Sequence, residues 1–332
     1  MNKRQTLKTM AAAVALGFGM ATSALAEITI RYAHVGSEGD IQYWYADEFA
    51  KRVEERTEGR VKVQVFPNSQ LGGAQETVDG VRSGAIPLAH HEFASLAPLM
   101  ADIAAFAAPF AYRDGRHAMA ATDPANSEIM QDLSGQLVEQ ANIRIIGRLY
   151  RGARQMTANI PVYSPADLKD QRFRGVPMQL WTTMIKGMGA IPTPVEVAEL
   201  PTALMTGMVI GQENPLTMIN ANKLYEVQSH AMLTGHMQNV LPVFINEGVW
   251  QSIPEEDRAI VSEVAAEVGE ETLELGIQAE TDLIDELKGK GMTFITEADG
   301  LKVDEFRMSV GKQVEIDYPT WGPLIERIQA IQ

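Results

Sequence analysis

Two arginines stand twenty residues apart in the stretch RQMTANIPVYSPADLKDQRFRGVP, at Arg154 and Arg174. A guanidinium offers parallel N–H donors that match the two oxygens of a carboxylate, so it fixes an anion's orientation as well as its charge. Each such bond is worth about 1.5–3 kcal/mol net, and the pairing strengthens where water is excluded. A surface ion pair is the ordinary role of any single arginine. Two of them around one strand–helix–strand unit also fit a grip on an anion.

Other chemistry finds less support. His90, His91 and Glu92 adjoin and look like a metal cluster, but neighbouring side chains on a strand point to opposite faces and do not easily share an ion. No G-x-S-x-G, H-E-x-x-H or G-x-G-x-x-G motif occurs, and the chain has no cysteine. Carboxylate pairs are uninformative in a chain with 43 acidic residues. The seventeen methionines read mainly as core filler.

The elements that must position the arginines follow from periodicity. EITIRYAH (27–34) and VKVQVFP (61–67) alternate as strands, and residues 40–60 between them form a helix. Ile41, Tyr45, Phe49 and Val53 share one face of that helix; Asp40 caps its start and Gly59 stops it. This is a βαβ unit with parallel strands, and QETVDGVRSGAIPLAHH (75–91) repeats the theme with a helix and a strand. A second α/β region opens with a strand-like run at 142–158, so the join falls near residue 150. There Ser164-Pro165-Ala166-Asp167 is a capping box with proline at the first helical position. QRFRGVP and VIGQENP read as strands; QLWTTMIKGMG, ending at Gly189, and VAELPTALMTGM read as helices. Residues 254–288 carry a helical pattern throughout. At 1.5 Å per residue this is one rod of roughly 50 Å able to lean on two domains, with bends available at Gly269 and Gly276, or else two helices broken at Gly276.

The whole chain narrows the classes further. Lys3, Arg4 and Lys8, a small-residue apolar stretch and Ala24-Leu25-Ala26 make residues 1–26 an expected export signal, cleaved near Ala26. Its removal takes three basic residues and no acid from a chain of formal charge −15, leaving −18. That charge argues against nucleic acid as a partner. Without disulfides, a core alone must hold the remaining chain, which is long enough for one large domain or two ordinary ones.

The stretches GARQMTANIPVYSPADLKDQRFRGVPM, FPNSQLGGAQETVDGVRSGAI, APFAYRDGRHA, GMGAIPTPVEVAEL and TGMVIGQENPLTMI together resemble the solute-binding proteins of tripartite ATP-independent periplasmic (TRAP) transporters, of the DctP type. The match runs in order from the first mature strand to EGVWQSIPEEDR. The resemblance implies a periplasmic binding protein-like α/β fold: two α/β domains, a ligand cleft between them and a long helix spanning both. It divides the chain into residues 27–151 plus 240–279 and residues 152–239 plus 280–332. It further implies a periplasmic receptor that catalyses nothing, needs no cofactor or metal, captures a small organic acid and hands it to membrane permease subunits.

Site residues carry over by motif. Arg174 in RFRGVP matches the arginine that forms the central salt bridge with the substrate carboxylate. Arg154 in GARQ and Asn214 in GQENP match residues that also reach it. Glu92 and Glu76 fall where sugar-acid binders contact hydroxyls, and His236 falls near a late histidine at the cleft. Trp181 either stacks on a sugar face or fills the core. Val197 stands where an aromatic residue is frequent, Ile210 where an aspartate is usual, and Asn214 after Glu213 where metal-using members carry tryptophan. The resulting expectation is a sugar acid such as a uronate, with a C4-dicarboxylate or small hydroxy acid as the alternative. A second carboxylate would need another cation. Arg151 is the candidate for it, although the ordinary place for such an arginine is the solvated surface. An exported enzyme or a sensor subunit on the same scaffold are the other classes.

Overall fold

The computed structural model describes residues 27–332; the expected export signal at 1–26 lies outside the described residues. The chain opens as anticipated with β1 (Ile28–Ala33), α1 (Ile41–Arg56) and β2 (Val61–Phe66). The Asp40 carboxylate accepts the Gln42 N–H at 3.2 Å and so caps α1, while Ile41, Tyr45, Phe49 and Val53 all point inward. Helix α2 (Ala74–Ser83) and β3 (Leu88–His90) follow, then α3 (Gly115–Ala121) and α4 (Glu128–Ala141).

The long strand β4 (Ile143–Ala158) leads through the capped 3-10 turn Pro165–Leu168 into β5 (Arg172–Gly175), α5 (Gln179–Gly187) and β6 (Ile191–Pro194). Next come α6 (Leu200–Met205), β7 (Gly211–Pro215), α7 (Leu216–Ala221), β8 (His230–Asn246) and α8 (Glu247–Ser252). The chain closes with α9 (Glu255–Gly289), β9 (Thr293–Ile295), α10 (Val303–Asp317) and α11 (Gly322–Gln329). Two helices are shorter than their patterns. α5 stops at Gly187, and Gly189 turns left-handed at φ 92°. The VAELPTALMTGM segment is a 3-10 turn followed by six α-helical residues.

The strands form one mixed sheet in the order β2-β1-β3-β8-β4-β7-β5-β6, with β9 beside β8. β4 and β8 are its antiparallel centre and run through both halves of the molecule. The β1, β2 and β3 group is parallel within itself, as are β5, β6 and β7. The register of β4 against β8 slips between Tyr150 and Ala153, where Gly152 sits at φ 101°. Such a bulge bends the strand and increases its twist, and here it marks the passage from one half to the other.

Helix α9 is one unbroken rod of 35 residues, about 50 Å long. Val261, Val264 and Val268 pack into a core with Tyr45 and Phe49. Leu283 and Leu287 pack into a separate core with Leu200, Leu204 and Ile219. Its glycines are seats rather than bends. A Cβ on Gly269 would lie 2.3 Å from the Arg148 carbonyl oxygen, and one on Gly276 would lie 2.7 Å from the Tyr150 ring. A third core on the opposite side of the sheet runs from Phe93 and Phe106 through Met156 and Met237 to Phe173, Trp181 and Val310.

Candidate functional site

Where the two halves face each other, a cleft holds about 470 Å³ of free space, part of it open to solvent. Its charged lining is Asp40, Glu92, Arg151, Arg154, Arg174 and Glu196.

The strand bulge decides which arginines arrive there. In a regular strand, residues 151 and 154 would point to opposite faces. The slip at Gly152 offsets the alternation, so Arg151 and Arg154 both reach the cleft. Each is then taken up by the protein. Arg151 is buried and pairs with Asp40 at 2.7 Å, and it donates to the Asn239 side-chain carbonyl at 3.1 Å. It is therefore no solvated surface arginine. Arg154 donates from Nη2 to Glu213 Oε1 at 2.8 Å and to the Glu213 carbonyl at 2.9 Å. Its Nε binds the other Glu213 oxygen, and Nη1 reaches Glu92 at 3.1 Å and Asn239 at 3.2 Å. These five bonds match the five donors that a guanidinium owns.

Arg174 differs. It is 2 % exposed and stands on β5, so strand geometry rather than a loop aims it. Its Nε donates to the Val195 carbonyl at 2.9 Å, and it forms no ion pair with any described residue. Burial pulls this guanidinium down to about 10, with only partial relief from Glu213, which leaves it charged at neutral pH. The cleft thus contains a desolvated cation without a carboxylate of its own.

The acids divide by role. Burial would raise Asp40 and Glu213, but Arg151 with Gln42 for the first, and Arg154 with His236 for the second, together outweigh it, and both stay below the usual carboxylate range. Burial does raise Glu92, against the pull of Arg154 and Arg151; Glu92 also accepts from Asn239 Nδ2 at 2.8 Å. Asn214 lines the cleft and donates to Gln212 at 2.6 Å. Glu76 is exposed on the first turn of α2, near Glu196 at the mouth.

Trp181 and His236 stand behind the cleft rather than in its lining. Both are fully buried and both donate to Glu213, at 2.7 Å from the indole and 3.0 Å from the imidazole Nε2. Arg154 lies over the Trp181 ring, 5.2 Å from its centroid. His90 and His91 do point apart. His90 contacts the Tyr32 hydroxyl at 2.6 Å and stacks on His34, whereas His91 lines the cleft. Among the described residues no group of three His, Cys, Asp or Glu side chains is placed to hold a metal ion.

Sequence reasoning missed Glu213, Asn239 and the second role of Asp40. Asn239 had one visible signal, an amide beside Gln238 at the head of the apolar run VLPVFI. Glu213 adjoins Asn214 on β7 and so falls on the opposite face, which places it behind the wall that Asn214 lines.

Burial lowers His34 to about 4 and His91 to about 3, and it holds His90 well below its ordinary value. These imidazoles are neutral when folded, so the unfolded chain takes up protons first. Their contribution to stability is complete above the ordinary value of 6.5 and is lost as the pH falls from there towards 4. The raised carboxyls Asp47, Glu92, Glu196 and Glu280 work in the opposite direction, while the lowered His117 and His236 act with the three histidines. The urea midpoint should therefore drop steadily between pH 6.5 and pH 4. A flat midpoint across that window would show the three histidines to be solvated.

An α/β chain whose two halves close on a charged cleft, crossed by a single long helix, has the architecture of a solute-binding protein. The chain belongs to the bacterial extracellular solute-binding protein family 7 (DctP), whose model matches residues 32–313. It is a solute-binding protein of the TRAP type, a family of periplasmic receptors that work with membrane permeases. It is 32 % identical over 322 residues to the 2,3-diketo-L-gulonate-binding periplasmic protein YiaO of Escherichia coli, covering 94 % of each chain. A TRAP solute-binding protein of Roseobacter denitrificans with bound L-galactonate superposes with a TM-score of 0.83 at 28 % identity, over 92 % of this chain and 99 % of that one. A second from the same organism, with bound 3-deoxy-D-manno-oct-2-ulosonic acid, gives 0.84 at 26 % identity, over 92 % and 100 %. Among the described residues no helix is long and apolar enough to cross a membrane.

Proposed function

We propose that this receptor captures a sugar acid with one carboxylate, gripped by Arg174, and delivers it to the TRAP permease after export and cleavage near Ala26. The observation that carries this reading is the buried, unpaired Arg174 guanidinium, because a desolvated charge demands a counter-charge. Asn214 and Glu92 stand beside it in the lining as partners for the bound acid, and Glu76 guards the mouth. Arg154, with its donors engaged, supports the grip by its field and by holding Glu92 and Glu213; His236 and Trp181 in turn hold Glu213. The relatives that bind L-galactonate, 2,3-diketo-L-gulonate and an octulosonic acid favour the same chemical class. In this reading the lobes divide at 151/152, 239/240 and 279/280.

A C4-dicarboxylate fits less well. Its second carboxylate needs a second free cation, and both Arg151 and Arg154 are paired with acids of the protein. A thermal-shift series should separate the two ligand classes, since a ligand at a hundred times its Kd stabilises the fold by about 2.7 kcal/mol. L-Galactonate, L-gulonate or D-glucuronate should raise the Tm, and succinate should not. A larger shift with succinate than with every hydroxylated acid would reject the reading.

A further inference from the structure

We propose that Glu196, facing Glu76 across the mouth of the cleft, forms a carboxylate subsite beside Arg174 that takes a hydroxyl-bearing carbon of the captured acid and turns away a second carboxylate. The proposal rests on the reading of Arg174 as the carboxylate grip.

Position carries it first. The residue before Glu196 is Val195, whose carbonyl holds Arg174 Nε at 2.9 Å. The backbone therefore fixes Glu196 next to the unpaired guanidinium, half-buried in the cleft lining. Glu76 comes from the other half, on the first turn of α2. The two carboxylates approach each other over Gly73. A Cβ built on that glycine would lie 3.2 Å from Glu76 Oε2 and 3.3 Å from Glu196 Oε1, so a side chain there would wedge between them.

Charge carries it second. Neither carboxylate forms an ion pair with a described residue. Burial raises Glu196, Arg174 opposes that, and the charge of Glu76 raises it further. Two acceptors from opposite halves thus repel each other at the rim, beside one cation without a partner. A hydroxylated monocarboxylate satisfies all three groups: its carboxylate pairs with Arg174 and its hydroxyls donate to the two glutamates. A dicarboxylate would bring a further anion against two already there. Closure over the correct cargo is thereby coupled to hydroxyl donors at this point.

Titration calorimetry on the wild type and on Glu196→Gln tests the idea. The probes are succinate and whichever of L-galactonate, L-gulonate and D-glucuronate binds most tightly. Glutamine keeps a carbonyl acceptor but removes the charge. The hydroxylated acid should bind about tenfold to a hundredfold more weakly to the variant, while succinate binds equally or more tightly. The ligand-free Tm of the variant, unchanged or raised, verifies folding. A selectivity ratio within twofold of the wild type would overturn the subsite and leave the Arg174 grip standing, provided that Arg174→Met abolishes binding. A wild type that takes none of the three hydroxylated acids would overturn both.

Discussion

Arg174→Met should abolish tight capture of the cargo and at the same time make the empty protein more stable. The bound carboxylate would lose its charged partner inside a closed cleft, which costs about 2–5 kcal/mol, or roughly thirtyfold to several-thousandfold in Kd. The empty protein moves the other way. Arg174 is buried without a counter-ion, and exchanging a desolvated charge for a hydrophobic side chain of similar volume stabilises by about 1–4 kcal/mol. Losing the bond to the Val195 carbonyl takes back about 1 kcal/mol of this. Calorimetry of binding and a ligand-free melting curve on the same sample read both signs. An unaltered Kd would remove the assigned role, and a lower ligand-free Tm would mean that the guanidinium is already paid for by contacts within the protein.

Glu213→Ala should do the reverse and cost stability before anything else. Glu213 accepts from Arg154, Trp181 and His236. Its removal strands a buried guanidinium, and breaking a buried pair by deleting one partner costs about 3–5 kcal/mol. The urea midpoint should fall sharply. Glu213→Gln, which keeps one carbonyl acceptor, should recover part of the loss. A change below about 1 kcal/mol in the alanine variant would show that water replaces the carboxylate and that the network is not closed. The two variants separate a charge kept for the ligand from a charge kept for the fold.

How much of this could be read in the residues alone depends on periodicity. The strands and the first helix announce themselves through alternation and through Ile41, Tyr45, Phe49 and Val53. The 35-residue helix was legible except for its glycines. A sequence shows that Gly269 and Gly276 lack side chains but not that Arg148 and Tyr150 lie against them. In the site, the surroundings of Arg151 went unseen because alternation assigns it to the opposite face from Arg154, and one slipped register at Gly152 reverses that assignment. Asp40 was legible as a helix cap, and nothing in the chain order announces its second partner, Arg151, 111 positions away. His236 carried over from the resemblance and Trp181 stood as either a sugar platform or a core residue; the fold buries both and directs both at Glu213.

The single rod shared by the two halves restricts how this molecule can open. A strut anchored in a separate apolar bed at each end, and notched against the central strands at Gly269 and Gly276, admits no stretching along its length. What remains is a swing of one half against the other about the paired strands β4 and β8, near the register slip at Gly152. Glu76 and Glu196, on opposite halves, would then part at the rim, while Arg151 and Arg154, beside Gly152, would move least.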